Sequence, residues 1–170
     1  MNLISSDTSV WIDFVAISRL PLPFLLPYTY LMNQDAIEQE LLFPHGLAND
    51  LIQLGLKSVE LTIEEFQLAE RYISLHHRLS VFDCTALAIA KERNITLLTG
   101  DGTLRRVAEK EKVKVFGTIG VLDQLYEQKH IEKSEYVYCL EQLLAHNGRE
   151  IRLPQNALQS RIEKCKLPKM

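Results

Sequence analysis

"FDCTALAIAKERNITLLTGD" (residues 82–101) joins an alanine-rich apolar helix to a β-branched and leucine run too short to be a second helix. Ser80 and Asp83 make an S-x-x-D capping pattern at the helix start, and Asn94 is placed to stop it. Ala86, Leu87 and Ala90 lie three, four and seven positions beyond Asp83, so they form the stripe that faces a core. "ITLLT" then reads as a fully buried strand, and Gly100 with Asp101 turns the chain into "TLRRVAEKEK". One acid thus heads a buried helix face, and another follows the end of a buried strand.

Outward from this unit the same alternation repeats. "NLIS" reads as a short buried strand, broken by Asp7, Thr8 and Ser9 before the helical spacing of "VWIDFVAISRL", which the prolines at 21, 23 and 27 end. A short helix starts near Asp35 in "DAIEQELLF" and another covers about 47–54, while residues 28–33 receive no element. "KSVELT" is a strand, and Thr62 with Glu65 makes a capping box ahead of the amphipathic "IEEFQLAERYISLHH". "VKVFG" is the next strand, followed by helices in "VLDQLYEQKH" and "KSEYVYCLEQLLAHN". Alternating strands and helices predict a parallel sheet covered on both faces.

The 170 residues suit one domain, and no disulfide or structural metal is needed for it to fold. Cys84, Cys139 and Cys165 are an odd number without a CxxC pair, which points to a reduced cytoplasm. The N-terminus lacks the pattern of a signal peptide, and no run approaches a membrane span, so a soluble protein without a membrane partner is expected. The net charge of −3 conceals an uneven distribution. Residues 149–170 carry six basic and two acidic side chains, whereas residues 1–148 carry 13 and 20. The basic stretch is read either as a solvated tail or as a contact for a polyanion or an acidic partner.

In an open parallel sheet, ligands bind outside the carboxyl ends of the strands. Asp7 and Asp101 both belong to that edge, and Asp83 heads its helix beside it. Each acid also has a local explanation: Asp7 and Asp83 as caps, Asp101 as a turn residue between glycines. Together they repel, by roughly 3 kcal/mol for two charges about 5 Å apart at an effective dielectric near 20, and such a cluster needs a counter-ion. Oxygen donors without nearby histidine or cysteine favour Mg²⁺ or Mn²⁺ over zinc. The five histidines are read as surface or helix-packing residues. A carboxylate cluster holding Mg²⁺ can acidify water and neutralise charge developing on a phosphodiester, which is nuclease chemistry.

"ISSDTSVWIDF", the acid in "DAIEQEL", "LSVFDCTALAIA", "LLTGDGTLRRVAEKEKVKVFG" and "TIGVLDQL" together resemble the PIN-domain ribonucleases, a group that includes the VapC-type toxins of prokaryotic toxin–antitoxin pairs. The resemblance runs over about residues 1–130, with residues 131–170 as a C-terminal helix and basic tail packed on or extending from the same domain. It implies a three-layer α/β/α fold, a shared acidic pocket, Mg²⁺ or Mn²⁺, and cleavage of single-stranded RNA. An antitoxin partner and a homodimer are further implications. The family acids fall on Asp7, Glu40, Asp83 and Asp101, with Glu38 a rival to Glu40. Glu40 is favoured because Leu41 and Leu42 follow it. Thr8, Ser9 and Thr99 match supporting hydroxyl residues, and Arg105 and Arg106 are placed to meet RNA phosphates, with a solvated helix face as the alternative. The sequence departs from relatives that carry a further acid after the fourth, since Thr103 and Leu104 stand there.

The expectation is therefore a Mg²⁺- or Mn²⁺-dependent endoribonuclease. Two alternatives stand beside it: a PIN-fold binding module without turnover, and a phosphotransferase or phosphatase with Asp7 as nucleophile. Trp11 and Phe14 share a helix face and are read as a core or dimer contact rather than as base-stacking residues.

Overall fold

The computed structural model describes residues 2–168. The chain runs through β1 (Asn2–Ser6), α1 (Thr8–Ala16), β2 (Tyr28–Asn33), α2 (Gln34–Glu40), α3 (Leu47–Leu54) and β3 (Lys57–Val59). It continues through α4 (Ile63–Leu75), α5 (Val81–Arg93), β4 (Thr96–Leu98), α6 (Gly102–Lys110) and β5 (Val115–Phe116), and then α7 (Thr118–Glu127), α8 (Lys133–His146) and α9 (Gln155–Lys166). The strands form one parallel sheet in the order β3-β2-β1-β4-β5. Helices cover both faces, giving the expected three-layer α/β/α arrangement.

The period of two along a strand divides the core between those faces. Leu98 joins a cluster that takes Val10, Trp11 and Phe14 from α1 and Leu122 and Leu125 from α7. Its neighbour Leu97 joins the opposite cluster, with Leu87 of α5 and Leu104 of α6. Trp11 stacks on Phe24 at 5.3 Å and meets Tyr30 edge-on at 5.2 Å, both pairs lying within the range where aromatic contacts are favourable. The pair Trp11 and Phe14 is thus core, being fully buried.

Two elements differ from the sequence expectation. Residues 28–33 are β2, which pairs with β1 from Asn2 beside Tyr28 to Ser5 beside Leu31. The three prolines just before it hide a run whose Tyr-Thr-Tyr composition suits a strand. The solvated-tail reading is also corrected for residues 155–166. They form α9, which buries Leu158 and Ile162 and turns Arg161 onto Asp123 through Nε and Nη2. Lys169 and Met170 of that basic stretch lie outside the described residues.

The register positions the site. Ser6 pairs with Leu98, and the Asp7 amide donates to Leu98 O at 2.9 Å, so Asp7 and Thr99 emerge side by side. The chain leaves β1 toward β2 on one side and returns to β4 on the other. This is a topological switch point, where a crevice opens at the carboxyl ends of β1 and β4.

Candidate functional site

Four acids from four parts of the chain gather at this crevice. Asp7 occupies the N-cap position of α1 in an extended conformation and is buried. Its Oδ2 accepts from Ser9 Oγ at 2.7 Å and from Thr99 Oγ1 at 2.9 Å. Both hydroxyls in turn accept backbone amides of the β4–α6 turn, Gly100 N–H at 2.9 Å on Ser9 and Asp101 N–H at 3.0 Å on Thr99. Two short relays therefore stitch the Asp101 turn to Asp7. Asp101 caps α6 by accepting Thr103 N–H at 2.8 Å on Oδ1.

Glu40 is the last residue of α2, and its Oε1 accepts from Thr8 Oγ1 at 2.7 Å. Glu38 points elsewhere: it is exposed and accepts from Gln34 of its own helix. Asp83 is held by a complete capping box, Ser80 N–H donating to its Oδ2 at 2.9 Å while its own amide donates to Ser80 Oγ at 3.0 Å. Helix capping and convergence on the crevice thus coexist at Asp83 and Asp101. For each of the four acids the side-chain hydrogen bonds among the described residues fall on a single carboxylate oxygen.

The electrostatics bind the four into one unit. Burial raises the Asp7 pKa above the ordinary carboxylate value; the bonds from Ser9 and Thr99 pull it down, and the charges of Glu40 and Asp101 push it further up. Burial followed by the charge of Asp7 pushes Asp83 up to about 6, with Asp101 adding to the effect. Glu40 is raised by burial and then by Asp83, against the Thr8 bond. Among the described residues no lysine, arginine or histidine forms a salt bridge with any of them. The cluster carries uncompensated negative charge.

Among the described residues no three His, Cys, Asp or Glu side chains make a group able to hold one ion. Mg²⁺, however, is usually held by one or two carboxylates together with several waters. Oxygen donors, excess negative charge and one oxygen left over on each acid fit a hard divalent cation of that kind.

Sequence reasoning missed Asp13. It is buried on α1, accepts from Thr118 Oγ1 at 2.6 Å, and is pushed up to about 7 by burial and, after the opposing Thr118 bond, by Asp7. Four residues separate it from Ser9, so both side chains face Gly100. A methyl group at Gly100 would stand 2.7 Å from Asp13 Oδ2. The available signal was a lone acid inside the apolar run "VWIDFVAI".

Arg105 and Arg106 are exposed on α6. Arg106 reaches Thr103 Oγ1 at 3.3 Å, whereas the Arg105 guanidinium lies against Gly117, which opens α7. Cys84 is fully buried and packs in the core.

A parallel α/β/α domain with an acidic cluster at its switch point is an arrangement shared by several classes of phosphate-ester enzyme. A family model described as a PIN domain matches residues 3–166, and the chain belongs to the PIN-domain family. The match extends beyond residues 1–130, on which the resemblance rested, and takes in α8 and α9. Curated proteins and solved structures give no match. Family membership carries a nuclease-type function and RNA binding in general terms. No described helix is long and apolar enough to cross a membrane.

Proposed function

We propose that the protein is a Mg²⁺- or Mn²⁺-dependent endoribonuclease acting on single-stranded RNA, with Asp7, Glu40, Asp83 and Asp101 as the set that holds the cation, directly or through its waters. The observation that carries this reading is the mutual electrostatic coupling of the four acids, three of which have raised proton affinity. A divalent cation, when bound, lowers the pKa of water and offsets the negative charge that grows on a phosphodiester in the transition state. The chain's own residues do the positioning. Thr99 and Ser9 fix the Asp7 carboxylate, Thr8 fixes Glu40 and Ser80 fixes Asp83, so the acids are held before substrate arrives. Arg105 and Arg106 project from α6, just beyond Asp101, and in this reading they meet the RNA backbone.

The finer biological reading is a cytoplasmic toxin paired with an antitoxin and working as a homodimer. Support for a dimer comes from α4, which leaves Ile63, Phe66 and Ile73 exposed along one side of the helix. A PIN-fold binding module without turnover is the second reading, and the spacing of the acids, which forms no three-ligand cage, favours it.

The test is cleavage of labelled single-stranded RNA by purified protein in Mn²⁺, in Mg²⁺ and in EDTA. Cleavage is expected with cation only. Asp7→Asn and Asp101→Asn are each expected to reduce it by at least about 100-fold, the scale on which a preorganised electrostatic group acts. Absence of cleavage by the wild type with every cation would favour the binding module.

A further inference from the structure

A cavity of about 390 Å³ is lined by Thr99 and Gly100, which immediately precede Asp101 and link it to Asp7. Its floor is the end of β5 and the start of α7, and its roof is the C-terminal segment from Arg152 to Arg161. The walls are mostly apolar, with Phe116, Ile119, Leu153 and Pro154 among them, and no carboxylate lines it. Three arginines do: Arg105, Arg152 and Arg161. Arg161 is already committed, since its Nε and Nη2 bond Asp123 and its Nη1 bonds Ala157 O. Among the described residues Arg105 and Arg152 have no acidic partner. Gly117 leaves room for this arrangement, because a methyl group there would stand 2.6 Å from Arg105 Nη2 and 2.8 Å from Thr99 O.

We propose that this cavity holds one unpaired nucleotide of the RNA strand, adjacent to the phosphodiester that faces the acids, with its base against the apolar walls and its phosphate on Arg105 and Arg152. This rests on the ribonuclease reading of the neighbouring acids and adds to it where the substrate lies. The volume falls in the range of about 300–1,000 Å³ that small-molecule sites occupy. An apolar slot suits the face of a base of any identity, and exposed arginines suit a phosphate that keeps its charge. Duplex RNA is excluded from such a slot, because a base must leave its stack to enter. The C-terminal segment, which the sequence marks only as basic, becomes part of the substrate site.

The experiment measures binding rather than cleavage, so it stands apart from the fate of the nuclease reading. Full-length protein in EDTA is titrated into a fluorescent 2′-O-methyl RNA hexamer, which cannot be cut through its 2′ position, and the same titration is run with 5′-AMP as competitor. Arg105→Ala with Arg152→Ala removes two exposed side chains and needs no repacking; Ala157→Trp fills the cavity, and its melting curve reports whether it has folded. The double arginine variant is expected to lower the slope of log K against log salt by about 0.7, one single-strand phosphate contact. Ala157→Trp is expected to weaken hexamer binding about tenfold, the loss of one stacked base. RNA that is bound in this way yet never cleaved with any cation would remove the nuclease reading and leave the pocket. Affinity and salt slope unchanged in the arginine variant would overturn the inference even if the wild type cleaves RNA. So would 5′-AMP binding as tightly as the hexamer, which would mark a free-nucleotide site instead.

Discussion

Asp83 shows how one side chain answers to two demands. Its carboxylate caps α5 and also faces Asp7, and its pKa of about 6 lies well above the ordinary 3.8. Between those two values the folded protein holds more protons at this group than the unfolded chain does. Its contribution to stability is therefore complete below about pH 4 and is lost as pH rises through about 6. Asp83→Asn keeps an acceptor for Ser80 N–H and removes the charge. In EDTA at pH 7.5 this variant is expected to melt about 3–6 °C above the wild type, from about 1–2 kcal/mol of relieved burial of the charge and, after it, relieved repulsion by Asp7, with allowance for solvent screening. Differential scanning calorimetry checks this, and an unchanged or lower melting temperature would speak against a buried, repelled charge at Asp83. Mn²⁺ acts in the opposite sense. Its stabilisation of the wild type is expected to be larger at pH 7.5 than at pH 5.5, where Asp83 is mostly protonated and a poor ligand.

At the scale of elements, the β4–α6 turn holds the site together. Gly100 passes Asp13 and Ser9 so closely that a side chain there has no space, and its amide feeds the relay to Asp7. Gly100→Ala is expected to displace Asp13 or the turn and to cut RNA cleavage at least tenfold, with a smaller change in circular dichroism; wild-type turnover would show that the turn is not part of the positioning. The helices α4 and α5 were legible in sequence because their signals are local. Thr62 with Glu65 and Ser80 with Asp83 form the capping boxes that their spacing announces. Strand β2 was not, since three prolines precede it and its evidence for being a strand is the partner it finds in β1. Of the site, Asp7, Asp83 and Asp101 were placed at or beside one sheet edge by the residue pattern, whereas Glu40 was offered only by the family resemblance, with Glu38 as its rival. The relays through Thr99 and Ser9 and the Asp13–Thr118 bond depend on register and had no short-range signature.

For the molecule as a whole, two cores on opposite faces of one sheet hold the switch-point crevice open between them. The C-terminal segment belongs to this body. Leu158 is fully buried within the larger core, and Leu158→Ala is expected to cost about 2–5 kcal/mol in urea unfolding, the usual penalty for emptying such a site. A cost under about 0.5 kcal/mol would mean that α9 is only loosely attached. Composition had suggested a tail here because charge pattern shows solvation but not the two apolar positions, Leu158 and Ile162, that dock the helix. In the proposed function, acids from distant parts of one chain share a cation. Anomalous diffraction from a crystal soaked in Mn²⁺ tests it most directly. A peak is expected in the crevice among Asp7, Glu40, Asp83 and Asp101, lost in Asp7→Asn; strong Mn²⁺ peaks elsewhere with none in that crevice would rule out a shared cation.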